Sequence, residues 1–265
     1  MSNPTIAMIG YGCVGRATAE AFHSKSIKVI GIDPVIYPKS KIENALAAGI
    51  AMICVPTPMM PTSGRQDTSI VAEVIRNLSA IDYKGLVVIK STVLPSFVVD
   101  VMEDYAHLRI CTNPEFLNAR SAEEDAAMPE HILVGALYNA AELFKLYADL
   151  WPDVPVHSMS PAGAMMYKYI YNTLGAVTVS VMNEFWGMHH KLKMSEWGQI
   201  EEMCGNDHML DCRIFVPGPD GKPGWGGACY GKDINAIINM ARDLEVPAET
   251  LEGAVATNLI VRKGE

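Results

Sequence analysis

The chain has 265 residues, of which 49% are hydrophobic and 19% are charged, and its formal net charge is −9. This composition excludes a disordered chain, and the length allows one large domain or two smaller ones. The negative charge argues against nucleic acid as a partner, because proteins neutralise its phosphates mainly with Lys and Arg. Nucleotides remain possible ligands, since backbone N–H groups at the start of a helix can hold their phosphates.

Cysteine usage and hydropathy bear on the compartment. Six cysteines are too few for a disulfide scaffold, and Cys54 and Cys111 lie in apolar runs, as is typical of reduced thiols. The N-terminal residues show no signal-peptide pattern. The longest apolar stretch, residues 162–188, is interrupted by lysine, asparagine and glutamate, which a lipid-facing span would not tolerate. We therefore expect a soluble, cytoplasmic protein without a membrane partner.

Short β-branched runs alternate with helical patterns over residues 1–158. The patterns predict strands at residues 5–10, 28–33, 51–55, 86–91, 109–113, 132–135 and 156–158. They predict helices at residues 13–24, 68–79 and 140–151. This alternation is typical of an α/β protein with a Rossmann-like, doubly wound parallel sheet.

The pattern changes after residue 158. Ser160 and Pro161 are suited to the N-cap and first position of a long helix, which the pattern extends to about residue 191. A loop rich in glycine and proline follows at 217–227, and helices are predicted at 233–244 and 248–263. We therefore predict a Rossmann domain at 1–158 and a smaller, all-helical domain at 159–265.

Residues 10–15, Gly-Tyr-Gly-Cys-Val-Gly, follow the first predicted strand and open the first helix. Glycines there permit a tight turn and a close approach of the pyrophosphate to the helix N-terminus. Asp33 ends the second strand, where a carboxylate accepts ribose hydroxyls and repels a 2′-phosphate, which favours NAD over NADP. Lys39 and Lys41 lie nearby and keep NADP as an alternative. A simple glycine turn with Asp33 as a strand-end cap is the structural alternative.

Cys229 lies behind three glycines and just before a predicted helix, in Gly-Trp-Gly-Gly-Ala-Cys-Tyr-Gly-Lys-Asp at 224–233. Nearby backbone N–H groups and the neighbouring Lys232 would lower the pKa of the thiol and favour a nucleophile. A turn with an incidental buried cysteine is an equally simple interpretation. The sequence pattern around Cys229 alone does not decide between them.

Lys168 and Asn172 are four residues apart on the long helix and so share a face. Met165, Met166 and Tyr169 would surround and desolvate the lysine. An ammonium and a carboxamide on one face can stabilise a developing oxyanion. A surface lysine with an exposed asparagine is the alternative.

Cys204, His208 and Cys212 recur every four residues, as metal ligands on a helix face would. However, Gly205 and Asn206 would break such a helix, and no fourth ligand is evident. No metal site is therefore predicted.

Taken together, these segments resemble the nucleotide-sugar 6-dehydrogenase family, most closely its UDP-glucose 6-dehydrogenases. The matching segments occur in the family's order: residues 10–15, Cys-Val-Pro-Thr-Pro at 54–58, Ser-Thr-Val at 91–93, Asn-Pro-Glu-Phe-Leu at 113–117, Lys168 with Asn172, Asn-Glu at 183–184, Arg-Ile at 213–214 and the cysteine segment at 224–233.

The resemblance implies that NAD oxidises carbon six of a nucleotide sugar, most simply UDP-glucose, to the carboxylate in two hydride transfers. A thiohemiacetal and then a thioester would form on the cysteine. The implied catalytic residues are Cys229, Lys168, Asn172, Asp233, Glu115 and Thr92. Glu115 and Asp233 both remain candidates for the general base, and Thr92 would order the hydrolytic water.

The resemblance also implies two sets of binding residues. Cofactor binding falls to Gly10, Tyr11, Gly12, Cys13, Val14, Gly15, Asp33, Val55, Pro56, Thr57, Ser91 and Thr92. Substrate binding falls to Glu115, Phe116, Leu117, Lys168, Asn172, Arg213 and Gly226. In the family the arginine matching Arg213 reaches the neighbouring subunit's site, which implies a homodimer through the helical domain.

Two departures from the family pattern stand out. Ala119 occupies the position of a second carboxylate, which bears on the hydrolysis step. Family members also carry another nucleotide-binding domain after the helix matching 248–263. This sequence therefore resembles a short form, and we expect the nucleotide to be held differently, loosely or by a partner chain. A one-hydride hydroxyacid dehydrogenase and a non-catalytic NAD-binding module remain the alternative functions.

Overall fold

The structure is a computed structural model that describes residues 4–58, 66–117, 121–137, 140–172, 188–189, 191–206, 242 and 245–262. The chain divides into two compact units, Met1–Tyr171 and Asn172–Glu265. The predicted domain boundary at residue 158 stays a prediction.

The first unit is built on a seven-stranded sheet in the order β2-β1-β3-β4-β5-β6-β7. Its strands are β1 Ile6–Ile9, β2 Val29–Ile32, β3 Ile50–Ile53, β4 Leu86–Ile89, β5 Arg109–Thr112, β6 Ile132–Gly135 and β7 Val156–Met159. Neighbouring strands are parallel apart from β5 and β6, which pair antiparallel through Thr112 and Gly135. The predicted α/β class is confirmed. The prediction of a parallel sheet is wrong for the pair of β5 and β6.

The helices of this unit are α1 Cys13–Ser24, α2 Ser69–Ala80, α3 Pro95–Asp104, α4 Ala122–Ala127 and α5 Ala141–Leu150, with a 3-10 helix at Ile42–Ala47. The chain is helical again over residues 161–172, which we call α6. Helices α3 and α4 were missed because α3 carries three valines, which favour strands, and α4 has a single short run of alanines and acids.

The strands are apolar because helices cover both faces of the sheet. On one face α1 and α5 pack aromatic side chains together, with Phe22 against Tyr147 and Trp151. On the other face α2 and α3 contribute Ile75 and Val98 to a second cluster. Burial on both sides explains why β1, β3, β4 and β6 are buried at every position.

In the second unit the described helices are α7 Trp197–Asn206 and α8 Glu249–Arg262. Helix α7 was not predicted, and it includes Gly205 and Asn206, which were expected to break a helix. The predicted loop at 217–227 and most of the helix at 233–244 lie outside the described residues. Among the described helices, none has the length and hydropathy needed to span a membrane.

Candidate active site

The turn between β1 and α1 depends on glycine at both ends. Gly10 has φ of +90°, and a Cβ there would lie 2.5 Å from the carbonyl oxygen of Cys54. A Cβ on Gly15 would collide with the carbonyl oxygen of Gly10. By contrast, a Cβ on Gly12 would meet nothing within 4 Å. The turn is therefore packed tightly at its two ends and open at its centre.

The open centre of the turn adjoins the N-terminus of α1. Gly12 is the N-cap, no side chain caps the helix, and its first turn carries no acidic residue. The first N–H groups of a helix have no intrahelical partners, and the helix dipole is positive at this end. An anion such as the pyrophosphate of a dinucleotide fits this place.

Asp33 follows β2 and is tied to the glycine turn. Its Oδ2 accepts the N–H of Tyr11 at 2.8 Å, and its Oδ1 accepts those of Val35 and Ile36 at 2.8 and 2.9 Å. Burial favours the neutral acid, but these hydrogen bonds outweigh it and hold the pKa of Asp33 below its usual range. Asp33 thus does act as a strand-end cap. A carboxylate offers about four acceptor positions, so one remains for a ribose hydroxyl.

The loops after β3 and β4 are joined at the same edge of the sheet. The Ser91 hydroxyl donates to the carbonyl of Val55 at 2.8 Å. The Thr57 hydroxyl and the Gln66 amide both donate to the carbonyl of Thr92, at 3.0 and 2.7 Å. The predicted cofactor segments 55–57 and 91–92 therefore lie in contact, beside the switch point where β1 meets β2 and β3.

Glu115, in the loop after β5, forms an ion pair with Lys168 of α6. Nζ of Lys168 lies 3.3 Å from Oε1 of Glu115, and Oε2 accepts the N–H of Leu117 at 2.7 Å. Only 4% of the Lys168 side chain is exposed. Its ammonium lies 5.3 Å from the ring centre of Phe116 and 5.7 Å from that of Tyr171. The pair is a partly desolvated cation and anion at the carboxyl end of the sheet.

The burial of Lys168 agrees with its sequence environment, and the rings of Phe116 and Tyr171 contribute to it. Met166 is 51% exposed, and Met165 packs into the core on the α2 and α3 face. Asn172 is exposed, and its predicted role beside Lys168 stays a prediction.

The close approach of α6 to the sheet brings Lys168 to this edge. A Cβ on Gly135 would lie 2.8 Å from both Ala164 and Pro161. The Thr112 hydroxyl donates to the carbonyl of Pro161 at 3.0 Å. The start of α6 is thus anchored on the antiparallel pair of β5 and β6.

A buried polar network beside Glu115 was not found from the sequence. Lys90 donates to Oδ1 of Asn113 at 2.9 Å and to its carbonyl at 3.3 Å. The Tyr147 hydroxyl donates to the same Oδ1, and Nδ2 of Asn113 donates to the carbonyl of Leu133 at 2.7 Å. The available sequence signal was Lys90, which ends an apolar run predicted as a strand. A lysine at such a place is buried only when its charge has partners.

A cavity of about 310 Å³ lies beside this network. Lys90, Asn113 and Glu115 line it together with Phe22 and His131. Nε2 of His131 is buried without a hydrogen-bond partner among the described residues. The cavity is roomy and polar enough to hold ordered water next to the Glu115 carboxylate.

Four predicted site residues lie outside the described residues: Arg213, Gly226, Cys229 and Asp233. Their roles stay predictions. Over the part of the chain that the structure describes, no group of three or more possible ligands could hold a metal ion. His208 and Cys212 of the weighed metal pattern also lie outside that part.

The sheet, the glycine turn and the carboxylate after β2 define a dinucleotide-binding protein of the dehydrogenase class. Family models resolve the class further. The NAD binding domain of the UDP-glucose/GDP-mannose dehydrogenase family matches residues 36–151, and the central domain of the same family matches residues 162–259. The chain belongs to this family, as the sequence motifs predicted, and NAD is its cofactor.

Individual relatives agree with this assignment. The chain is 26% identical to a GDP-mannose 6-dehydrogenase of Azotobacter vinelandii, over 96% of this chain and 68% of the relative. It is 30% identical to a UDP-glucose 6-dehydrogenase of Rickettsia felis, over 83% of this chain but only 49% of the relative. A ternary complex of GDP-mannose dehydrogenase from Pseudomonas aeruginosa has the same fold, with a TM-score of 0.81 at 23% identity over 97% of this chain and 68% of that one.

Proposed function

We propose that this NAD-dependent dehydrogenase oxidises carbon six of a nucleotide sugar from the alcohol to the carboxylate. The buried Glu115–Lys168 pair carries the proposal, because it places an acid–base group and a cation at the same sheet edge as the cofactor turn. UDP-glucose is the substrate we propose first. GDP-mannose, which names other relatives, is the alternative.

NAD, when bound, supplies the hydride acceptor. The N–H groups at the start of α1, beside Gly12, would hold its pyrophosphate, and Asp33 would accept a ribose hydroxyl while its charge disfavours a 2′-phosphate. Residues 55–57 and 91–92, which contact each other at the adjoining edge, would hold the rest of the cofactor.

Lys168 and Glu115 have complementary tasks in this proposal. The ammonium of Lys168 stabilises negative charge on the oxygen of carbon six, and its poor hydration strengthens that interaction. Glu115, or Asp233, accepts the proton that the alcohol loses as each hydride leaves. Cys229 adds to the aldehyde, so that the adduct can lose a second hydride and form a thioester.

Water then cleaves the thioester and releases the thiol. The balance for each sugar is one alcohol, two NAD⁺ and one water giving one carboxylate, two NADH and three protons. Thr92 orders the attacking water in this proposal. The cavity beside Glu115 is a source of such water within the described part of the site.

The test is to mix the protein with NAD and a panel of UDP-glucose, GDP-mannose and UDP-N-acetylhexosamines while following NADH absorbance. We expect two NADH per sugar consumed, and loss of activity in Cys229→Ser. One NADH per turnover with a 2-hydroxy acid would instead support the hydroxyacid dehydrogenase alternative. Binding of NAD without reduction by any panel member would support the non-catalytic module.

A further inference from the structure

We propose that Lys90 is a positioning residue for this reaction: it fixes the segment that carries Glu115. The inference rests on the proposed function, since it concerns the same site. Lys90 is 6% exposed and does not belong to any motif that the resemblance supplied.

The positioning acts through Asn113, the residue at the end of β5. Three of the four hydrogen bonds that its carboxamide can make are formed, to Lys90, Tyr147 and Leu133. Lys90 also holds the Asn113 carbonyl, where the chain turns away from the sheet. Glu115 lies two residues further on, so the place where its side chain starts is set from β4, α5 and β6 together.

Other titratable groups lie near Lys90 and Asn113. The Cys54 thiol stays neutral, because burial raises its pKa to about 12, and burial likewise raises the pKa of Tyr147. Asp125, Glu130 and His131 line the same cavity. Burial lowers the pKa of His131, with His157 adding to the effect and Glu130 opposing it, which favours the neutral ring.

A purely structural role would not favour lysine at this position. Burial lowers the pKa of Lys90, with Lys168 adding to the effect and Cys54 and Glu115 opposing it. Lys90→Met removes the cost of burying a charge, but it leaves the carbonyl oxygen of Asn113 without this donor, so we expect a modest fall in melting temperature. The fall in kcat at a temperature where the variant is folded is the effect that the inference predicts.

The experiment compares Lys90→Met, Lys90→Arg and Tyr147→Phe with a matched control, Lys84→Met, which removes an exposed lysine just before β4. We measure kcat, KM, NAD affinity, melting temperature and hydrogen exchange of the backbone amides in the segment 113–117, where the Leu117 N–H donates to Glu115. In Lys90→Met, kcat is expected to fall about tenfold to a hundredfold. Hydrogen exchange of the segment should become faster, and NAD affinity should not change.

The other variants test whether geometry or charge matters. Lys90→Arg retains the charge but not the shape of the ammonium, so kcat should still fall. Tyr147→Phe loses one bond to Asn113, so kcat should fall a few-fold and hydrogen exchange of residues 113–117 should rise less than in Lys90→Met. These two variants also carry the test if Lys90→Met does not fold.

Two results would overturn the inference: hydrogen exchange of residues 113–117 that does not respond to Lys90→Met, or a kcat within twofold of the unchanged protein in both Lys90→Arg and Tyr147→Phe. An inactive parent protein would count against the proposed function instead. Hydrogen exchange needs no turnover, so it still decides whether Lys90 fixes the segment that carries Glu115.

Discussion

The cofactor turn and the Glu115–Lys168 site lie at the same edge of the sheet but are built in opposite ways. The turn is formed by missing side chains, since Gly10 and Gly15 leave no room for a Cβ. The ion pair is formed by large side chains that neighbouring rings and a loop keep from water. Steric change should therefore damage the first region most, and change of charge the second.

Lys168→Met should give the largest effect. The oxygen at carbon six loses its cation, and Glu115 is left without its direct partner, so kcat is expected to fall about a thousandfold. Steady-state kinetics measure this, and NAD binding should survive. Lys145→Met, which breaks an exposed ion pair with Asp149, is the matched control and should leave kcat unchanged. A comparable fall in kcat in Lys145→Met would contradict a specific role for the charge of Lys168.

Gly10→Ala and Gly12→Ala form a matched pair at the cofactor turn. In Gly10→Ala the new methyl group meets the Cys54 carbonyl at φ of +90°, so both NAD affinity and stability should fall. In Gly12→Ala the methyl group enters open space, so stability should change by less than about 1 kcal/mol while NAD affinity falls. Calorimetry and thermal unfolding separate the two. Equal loss of stability in both variants would contradict an open centre.

Alkylation of cysteines tests the cofactor turn, and the change expected in the labelling rate is smaller than the changes in kcat and NAD affinity above. Cys13 is exposed at the first position of α1, whereas burial raises the pKa of both Cys54 and Cys111 to about 12. Alkylation at neutral pH, read by mass spectrometry, should modify Cys13 and spare the other two. NAD should slow the labelling of Cys13 several-fold, and an unchanged rate would argue against pyrophosphate at this helix end.

Asp33→Asn should lower the free energy of unfolding by about 1 kcal/mol, because one acceptor oxygen remains. The pKa of Asp33 is lowered in the folded state, so the advantage of the aspartate is fully present above the usual pKa of the group. It is lost as the pH falls through the lowered value. Urea unfolding at several pH values measures this, and curves that stay parallel below pH 4 would contradict it.

How far the sequence could predict the molecule depends on how local each feature is. Residues 10–15 and Asp33 were found because a turn needs glycine at set positions and the next strand follows at a set spacing. The Glu115–Lys168 contact was not predicted, since it joins a loop and a helix that are distant along the chain. The antiparallel pairing of β5 and β6 was missed because an apolar run of four residues carries no sign of its direction.

The resemblance extended the sequence analysis to residues whose placement spacing alone does not give. It supplied roles for Glu115, Thr92 and Cys229. It gave no role to Lys90 or to Asn113, because their importance depends on contacts between β4, β5 and α5. Local patterns thus predicted the cofactor half of the site better than the catalytic half. Buried charges with distant partners account for the difference.

Gly135 shows how a position remote from any reactant can control reactivity. The missing methyl group lets the first turn of α6 rest directly on the sheet. The helix is stiff, and about 10 Å of it separates Pro161 from Lys168 at 1.5 Å per residue. A methyl group at Gly135 would therefore push the start of α6 away from the sheet and displace the ammonium of Lys168. A selection of functional residues by their distance from the reactants would omit Gly135, although this glycine sets the position of Lys168.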